Sequence, residues 1–416
     1  MIQRRAAFLV AAGIALAAPR GSDAQDPKNF NPDQVVVGVD MPRVEAAIKK
    51  GVEYLKGKNS DHLKTSHSHK SNKTNVELVL LTYVHSGYVP ESDPAFHELF
   101  DDMMKRPLEA TYCVSLQAMI LEEMDRVKYQ SRIWQCAQFL VDNQCGNGQW
   151  SYGDPTPAVQ GVPTGAPSAV STGPGGGVKV YGEGGREKPK PAKKLSVSRT
   201  RTGPGEGDNS NSQYAALGLR ACHDAGISIP RDVVGLAMKW WKENQKDKAD
   251  KGREAVSTGT VDLGPPRGWC YNDHDHKAYG SMTAGAVGAL VIYNYMLDHD
   301  WSRDSSVRSG LSWMVNNFSV TENPGDACTF GKKKNTQYHY YMYALERVGM
   351  LYGTVQIGSH AWYAEGAKEL LKDQEGNGCW KGSDGSKDVW DTCFAILFLK
   401  RATRPLVASQ DASRKK

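Results

Sequence analysis

The segments Gln138-Phe139-Leu140-Val141-Asp142-Asn143-Gln144-Cys145-Gly146-Asn147-Gly148-Gln149-Trp150 and Glu369-Leu370-Leu371-Lys372-Asp373-Gln374-Glu375-Gly376-Asn377-Gly378-Cys379-Trp380 follow one pattern. Each reads as the end of a helix, then Gln, a Gly-rich turn and Gly-x-Trp. Such self-similarity marks a repeat protein, whose units bury their apolar faces only against one another. A third copy, Lys239-Trp240-Trp241-Lys242-Glu243-Asn244-Gln245, reaches Gly268-Trp269 after a long charged loop. Weaker copies at Gly51-Val52-Glu53-Tyr54-Leu55 and Leu311-Ser312-Trp313-Met314-Val315 have lost the Gln and the turn.

A helix of different character follows each copy: Tyr214-Ala215-Ala216-Leu217-Gly218-Leu219, Thr283-Ala284-Gly285-Ala286-Val287-Gly288-Ala289-Leu290 and Thr392-Cys393-Phe394-Ala395-Ile396-Leu397-Phe398-Leu399. These are apolar nearly all round and belong inside, whereas the preceding helices carry charge on one face and belong outside. Outer helices are expected to begin near Val44, Ala95, Gln130, Pro230, Ser305 and Ile357, and inner ones near Thr74, Thr111, Ser212, Ser281, Gln337 and Asp391. The expected fold is all-α, an (α/α)6 toroid of six outer/inner helical hairpins over residues 40–403. One such domain replaces the two or three that 416 residues suggest at roughly 150 each.

The Gln-to-Gly-x-Trp turn resembles the QW motif of the prenyltransferase and squalene–hopene cyclase repeat superfamily. The likeness covers nearly all of the chain after its first residues and is specific for fold rather than reaction. It implies a central aromatic cavity that binds an apolar, isoprenoid-like ligand. In the cyclases, an Asp-x-Asp-Asp acid stands at the start of an inner helix. Asp388-Val389-Trp390-Asp391-Thr392 is similar but carries Trp390 at the proton-donor position, and Asp273-His274-Asp275-His276 lies ahead of its helix. In the protein prenyltransferases, zinc is held by Asp-x-Cys and a later His. The likeness places His339 and Tyr341 at the first pair and Asp391 at the last, so the thiolate is missing. A His339/Asp391 pair is still able to hold a divalent metal or to act as an acid–base dyad. The Cys-Gly-Glu-Gln of complement-type thioester domains is not matched by Cys145-Gly146-Asn147-Gly148-Gln149.

Composition sets the remaining bounds. The chain is 40% hydrophobic and 23% charged, which suits a folded protein, and a net charge of +5 is too mild to indicate nucleic acid. None of the eight cysteines forms a C-x-x-C pair, which excludes a thiolate zinc ribbon. Cys136 and Cys145 are close enough in sequence to pair. Arg4 and Arg5, the apolar run of residues 6–18 and the small residues Ser22 and Ala24 read as a signal peptide over residues 1–24, hence export to a periplasmic or extracellular space. No later run is apolar enough to span a membrane. Residues 153–208, rich in Gly, Pro and Lys, read as a disordered basic insertion, and 404–416 as a disordered tail.

Connectivity gathers the chemistry. Every loop from an outer to an inner helix opens on one face of a toroid. That mouth collects His62, His67, His69, residues 272–276, Asp326-Ala327-Cys328 and Asp388, together with the inner-helix amino termini at Thr74, Thr111, Asn211, Thr283, His339 and Asp391. Those termini favour an anionic group. Candidate catalytic residues are Asp391, His339 and Asp388. Candidate ligand contacts are Tyr340, Tyr341, Tyr343, Trp390, Thr283 and Asn211, and candidate metal ligands are His339 and Asp391. Glu346-Arg347 reads as a structural ion pair. Two other readings stay open: a polysaccharide-active enzyme using Asp391 with Asp388 or Asp275, and a scaffold that docks proteins through the basic insertion.

Overall fold

The computed structural model describes residues 27–58, 63, 75–156, 188, 191, 193–246, 257–258, 261–272, 277–325, 337–382 and 388–406. The signal-peptide stretch, the histidines 62, 67 and 69, Thr74, residues 273–276, Asp326-Ala327-Cys328 and residues 407–416 lie outside them.

The protein is all-α. Its twelve described α-helices are α1 (Met41–Lys56), α2 (Asn75–Ser86), α3 (Pro94–Lys105), α4 (Thr111–Asp125), α5 (Gln130–Asp142), α6 (Asn209–Asp224), α7 (Arg231–Glu243), α8 (Gly280–Met296), α9 (Ser305–Asn316), α10 (Tyr338–Val348), α11 (Trp362–Asp373) and α12 (Asp388–Lys400). Side chains enforce several of the starts: Asp40, Asp93, Asp208 and Asp304 each accept a backbone N–H of the first turn. Helix α11 begins five residues after the expected Ile357, because Ile357 and His360 first close a turn around Gly358 at φ +62°.

Even-numbered helices are the buried ones. All of α12 but Asp388 and Trp390 is buried, and all of α8 but Tyr295, whereas α1, α7 and α11 keep one face in water. The even helices pack in sequence, α2 on α4, α4 on α6, α6 on α8, α8 on α10 and α10 on α12, and α12 packs back on α2. Odd-numbered helices lie against them, and α1 touches both α11 and α12.

The repeated turn supplies the joints. Gln144 Nε2 donates to Gly148 O of its own turn and to Val233 O of α7 at 2.9 Å. Gln245 Nε2 does the same to Arg267 O and to Ser306 O of α9, and Gln374 Nε2 to Gly378 O and to Ala47 O of α1. Each turn's Trp donates Nε1 to a carbonyl of the outer helix it follows: Trp150 to Leu140, Trp269 to Trp241 and Trp380 to Leu370, at 2.7–2.8 Å. Its backbone N–H donates to a hydroxyl on the next inner helix: Trp150 to Ser212, Trp269 to Thr283 and Trp380 to Thr392. The three indoles are fully buried, and removing about 200 Å² of indole from water is worth roughly 5 kcal/mol each before entropy is counted.

Two expectations from composition are corrected. Residues 193–208 are placed rather than disordered. Leu195–Ser196 pairs in parallel with Ile227–Ser228, Thr200 donates N–H and Oγ1 to Asp142 at 2.7 and 2.8 Å, and Gly203 N–H donates to Gln144 O. Upstream, Lys188 is buried between Glu122 and Glu123 at 2.5 and 2.7 Å. In the tail, Arg404 reaches Glu123 at 2.8 Å and Leu406 is buried. A chain that satisfies backbone groups and acids at a helix end gains order without an apolar core of its own. Cys136 and Cys145 stay separate thiols, pushed up to about 12 and about 11 by burial.

The turn geometry is testable at two neighbouring glycines. Gly378 has φ +96°, and a Cβ there would lie 2.4 Å from Lys50 O of α1; Gly376 has nothing within 4 Å. Gly378→Ala is expected to cost roughly 2 kcal/mol or more in urea unfolding, and Gly376→Ala to stay within about 0.5 kcal/mol of wild type.

Candidate functional site

The starts of α10 and α12 come together. His339, the second residue of α10, is 2% exposed, and its Nδ1 lies 3.0 Å from Asp391 Oδ1. Asp391 Oδ2 accepts the backbone N–H of Gly382 at 2.8 Å, and Trp380, two residues earlier, is tied to the adjacent Thr392. The repeated turn therefore fixes the carboxylate, and the carboxylate fixes the imidazole. With Nδ1–H donating to Asp391, the neutral ring presents its lone pair at Nε2. That Nε2 is buried and has no hydrogen-bond partner. The ring of Tyr338 stands edge-on to the imidazole at 4.8 Å between centroids. Gln337, just ahead, is a non-glycine residue at φ +62°, a backbone strain of the kind that gathers at functional sites.

Asp388 is not part of this pair. Its carboxylate accepts from Tyr54 and lies 3.4 Å from Lys58 Nζ, both from the α1 side. Burial raises its pKa, but the Tyr54 hydroxyl and the Lys58 ammonium outweigh that and hold it below the usual carboxylate value. The two acids of α12 thus face different partners.

The tyrosines meet one another. Tyr340 OH sits 2.7 Å from Gln213 Nε2, 2.9 Å from Ser210 Oγ and 3.3 Å from Tyr112 OH. Tyr214 stacks on Tyr340 at 6.1 Å, and Tyr343 on Phe394 at 6.0 Å. Tyr341 turns aside, donating to Ser319 O at 3.0 Å. Trp390 donates Nε1 to Asn75 of α2. Helices α4, α6, α10 and α12 therefore meet through side chains that already bond one another, and no unpaired hydroxyl on Tyr340 or Tyr341 awaits a ligand.

Thr283 is committed to the repeated turn, and Asn211 is committed in part. Thr283 Oγ1 receives the Trp269 N–H in the repeated turn; Asn211 donates N–H and Nδ2 to Asp208 at 2.7 and 2.8 Å, while its Oδ1 is buried with no partner. Among the described residues no three His, Cys, Asp or Glu side chains gather as a ligand set for a metal. Each Asp391 oxygen already has a hydrogen-bond partner, and His339 Nε2 is the atom of the expected metal pair that has none.

Glu346 and Arg347 are not the ion pair their adjacency suggested. Glu346 accepts Thr403 N–H at 2.9 Å and Thr403 Oγ1 at 2.7 Å, whereas Arg347 donates Nη2 to Gln213 Oε1 at 2.7 Å. The role of Arg347 was missed in the sequence, where nothing but its place on a buried helix marks it.

With this geometry in hand, the chain was compared with protein-family models, with curated proteins and with solved structures, and it matched none of them.

Burial raises the Glu346 carboxyl from 4.5 to about 7, with the Thr403 hydrogen bonds opposing. The folded protein thus keeps a proton that the unfolded chain loses above pH 4.5. The stability this gives is complete below that pH and is lost as pH rises to about 7, a change of about 3 kcal/mol at most. The difference in urea stability between wild type and Glu346→Gln should fall across that window; a pH-independent difference would show that the carboxyl titrates normally.

Proposed function

We propose that the twelve helices form a closed α/α toroid of six outer–inner hairpins, built like the prenyltransferase and squalene–hopene cyclase repeat proteins, and that the protein is an exported enzyme with His339–Asp391 as its acid–base centre. The packing of α12 back on α2, and of α11 on α1, supports the closure. Three turns with one bonding scheme support the family reading.

One observation carries the catalytic reading: His339 Nε2 is buried without a partner while Nδ1 is held by a buried carboxylate. Leaving such a nitrogen unpaired costs about 1–3 kcal/mol. That cost is understandable where the lone pair has to take a proton from a bound molecule. In that step Nε2 accepts the proton, and Asp391 stabilises the imidazolium that results. A divalent metal at Nε2 would use the same arrangement, with Asp391 orienting the ring.

An apolar, isoprenoid-like substrate follows from the resemblance and from the aromatic side chains of the inner helices. The hydroxyls of Tyr152 and Tyr271, 3.3 Å apart and reaching the surface, favour a second reading, a polyhydroxylated substrate.

Polyprenyl alcohols and diphosphates, and in parallel neutral and acidic oligosaccharides, should be incubated with the full chain and the products analysed by mass spectrometry. Turnover in one class is expected, reduced roughly a hundredfold or more in His339→Gln. Full turnover in His339→Gln, or none in either class, contradicts the proposal.

A further inference from the structure

Arg347 is among the buried side chains with an unpartnered polar atom. It stands near the end of α10, and a helical side chain projects toward the helix amino terminus, which carries its guanidinium up among α4, α6 and α10. Arg347 is 2% exposed, and its hydrogen bond goes to the neutral amide of Gln213 rather than to a carboxylate. Its neighbour Glu346 is turned away to Thr403. One nitrogen, Nη2, donates to Gln213 Oε1, and that amide passes the chain on through Nε2 to Tyr340 OH. The other, Nη1, is buried with no partner. The guanidinium carbon lies 4.4 Å from the Tyr343 ring centroid and 5.4 Å from that of Tyr214. The Tyr214 hydroxyl is buried beside the guanidinium, close enough for its oxygen to face the N–H groups, but its own O–H has no acceptor.

Aromatic faces offset part of the cost of a buried cation, by about 2 kcal/mol when desolvated. They accept nothing along the N–H directions, and they do nothing for a phenol O–H. A buried guanidinium N–H and a neighbouring buried O–H that both lack an acceptor share one complement, an oxygen anion that receives both.

We propose that Arg347 Nη1 and Tyr214 OH bind an oxyanion, a phosphate, sulfate or carboxylate group, among α4, α6 and α10. Gln213 holds the guanidinium in place from the other side. Gln213 is itself confined by α8, since a Cβ on Gly285 would lie 2.3 Å from its Oε1. The linked hydroxyls of Tyr112, Ser210 and Tyr340 stand between this site and the starts of their helices. The site does not depend on the role given to His339.

Thermal unfolding of the full chain in phosphate, sulfate, acetate and chloride at matched ionic strength tests the site. A saturable rise in Tm with one of the oxyanions over chloride is expected, absent in Arg347→Met. In chloride alone, Arg347→Met should be at least as stable as wild type, because a buried unpaired charge has been replaced by an apolar stem. Tyr214→Phe should keep the fold and weaken the anion's apparent affinity about tenfold. Phosphate bound free, and a carboxylate or phosphate group belonging to a larger ligand, are separated by native mass spectrometry of the purified protein. A Tm that ignores the anion, an equal rise in Arg347→Met, or a Tyr214→Phe affinity equal to wild type each overturns the site.

Discussion

A glutamine that donates one hydrogen bond to its own turn and another to the next outer helix is the joint on which the molecule depends. Val233, Ser306 and Ala47 supply the receiving carbonyls, and four residues further on stand Ala237, Gly310 and Gly51. Two of those small residues lie directly beneath an indole: a Cβ on Gly310 would be 3.0 Å from Trp269, and one on Gly51 2.9 Å from Trp380. A single turn thereby sets the distance between consecutive outer helices and hands its Trp N–H to the inner helix between them. Helices of eleven to seventeen residues, amphipathic on the outside and apolar within, have few other means of fixing their mutual angle.

Once the inner helices are held this closely, their starts are confined to a small region and their polar groups have to be satisfied there. Most are. Tyr340, Gln213 and Ser210 saturate one another, Asp208 serves Asn211, and Trp390 serves Asn75. Among the described residues, the buried atoms left without a partner include His339 Nε2, Arg347 Nη1 and Tyr214 OH, alongside others such as Asn211 Oδ1, Ser115 Oγ and Tyr293 OH. What sets His339 and Arg347 apart is the group held behind each, Asp391 for the imidazole and Gln213 for the guanidinium.

Much of this was legible from residue spacing. All twelve helices could be placed from the repeated turn and from the apolar or one-sided charged character of the segments around it, with α11 five residues late, and the approach of His339 to Asp391 was expected from the connectivity of a toroid. What periodicity could not show was the destination of individual hydrogen bonds. Thr283 was read as a ligand contact, although the recurrence of Ser212, Thr283 and Thr392 after the three tryptophans was a usable signal of a shared structural duty. Glu346 and Arg347 are adjacent, and adjacent helical residues do not face each other, so separate partners were the better expectation. Residues 193–208 were misread for a different reason. Composition reports whether a segment can build a core, and this one instead satisfies the end of α5 through Asp142 and Asn143.

The claim that organises all of this is closure, the contact of α11 with α1 through Gln374 and Ala47. Spin labels on the exposed positions Lys49 and Lys368 report it directly by double electron–electron resonance. Adjacent helices, with axes about 8–10 Å apart, give one narrow distribution at short distance. A broad or long-distance distribution would mean an open array of hairpins, with no common mouth to gather His339, Asp391 and Arg347.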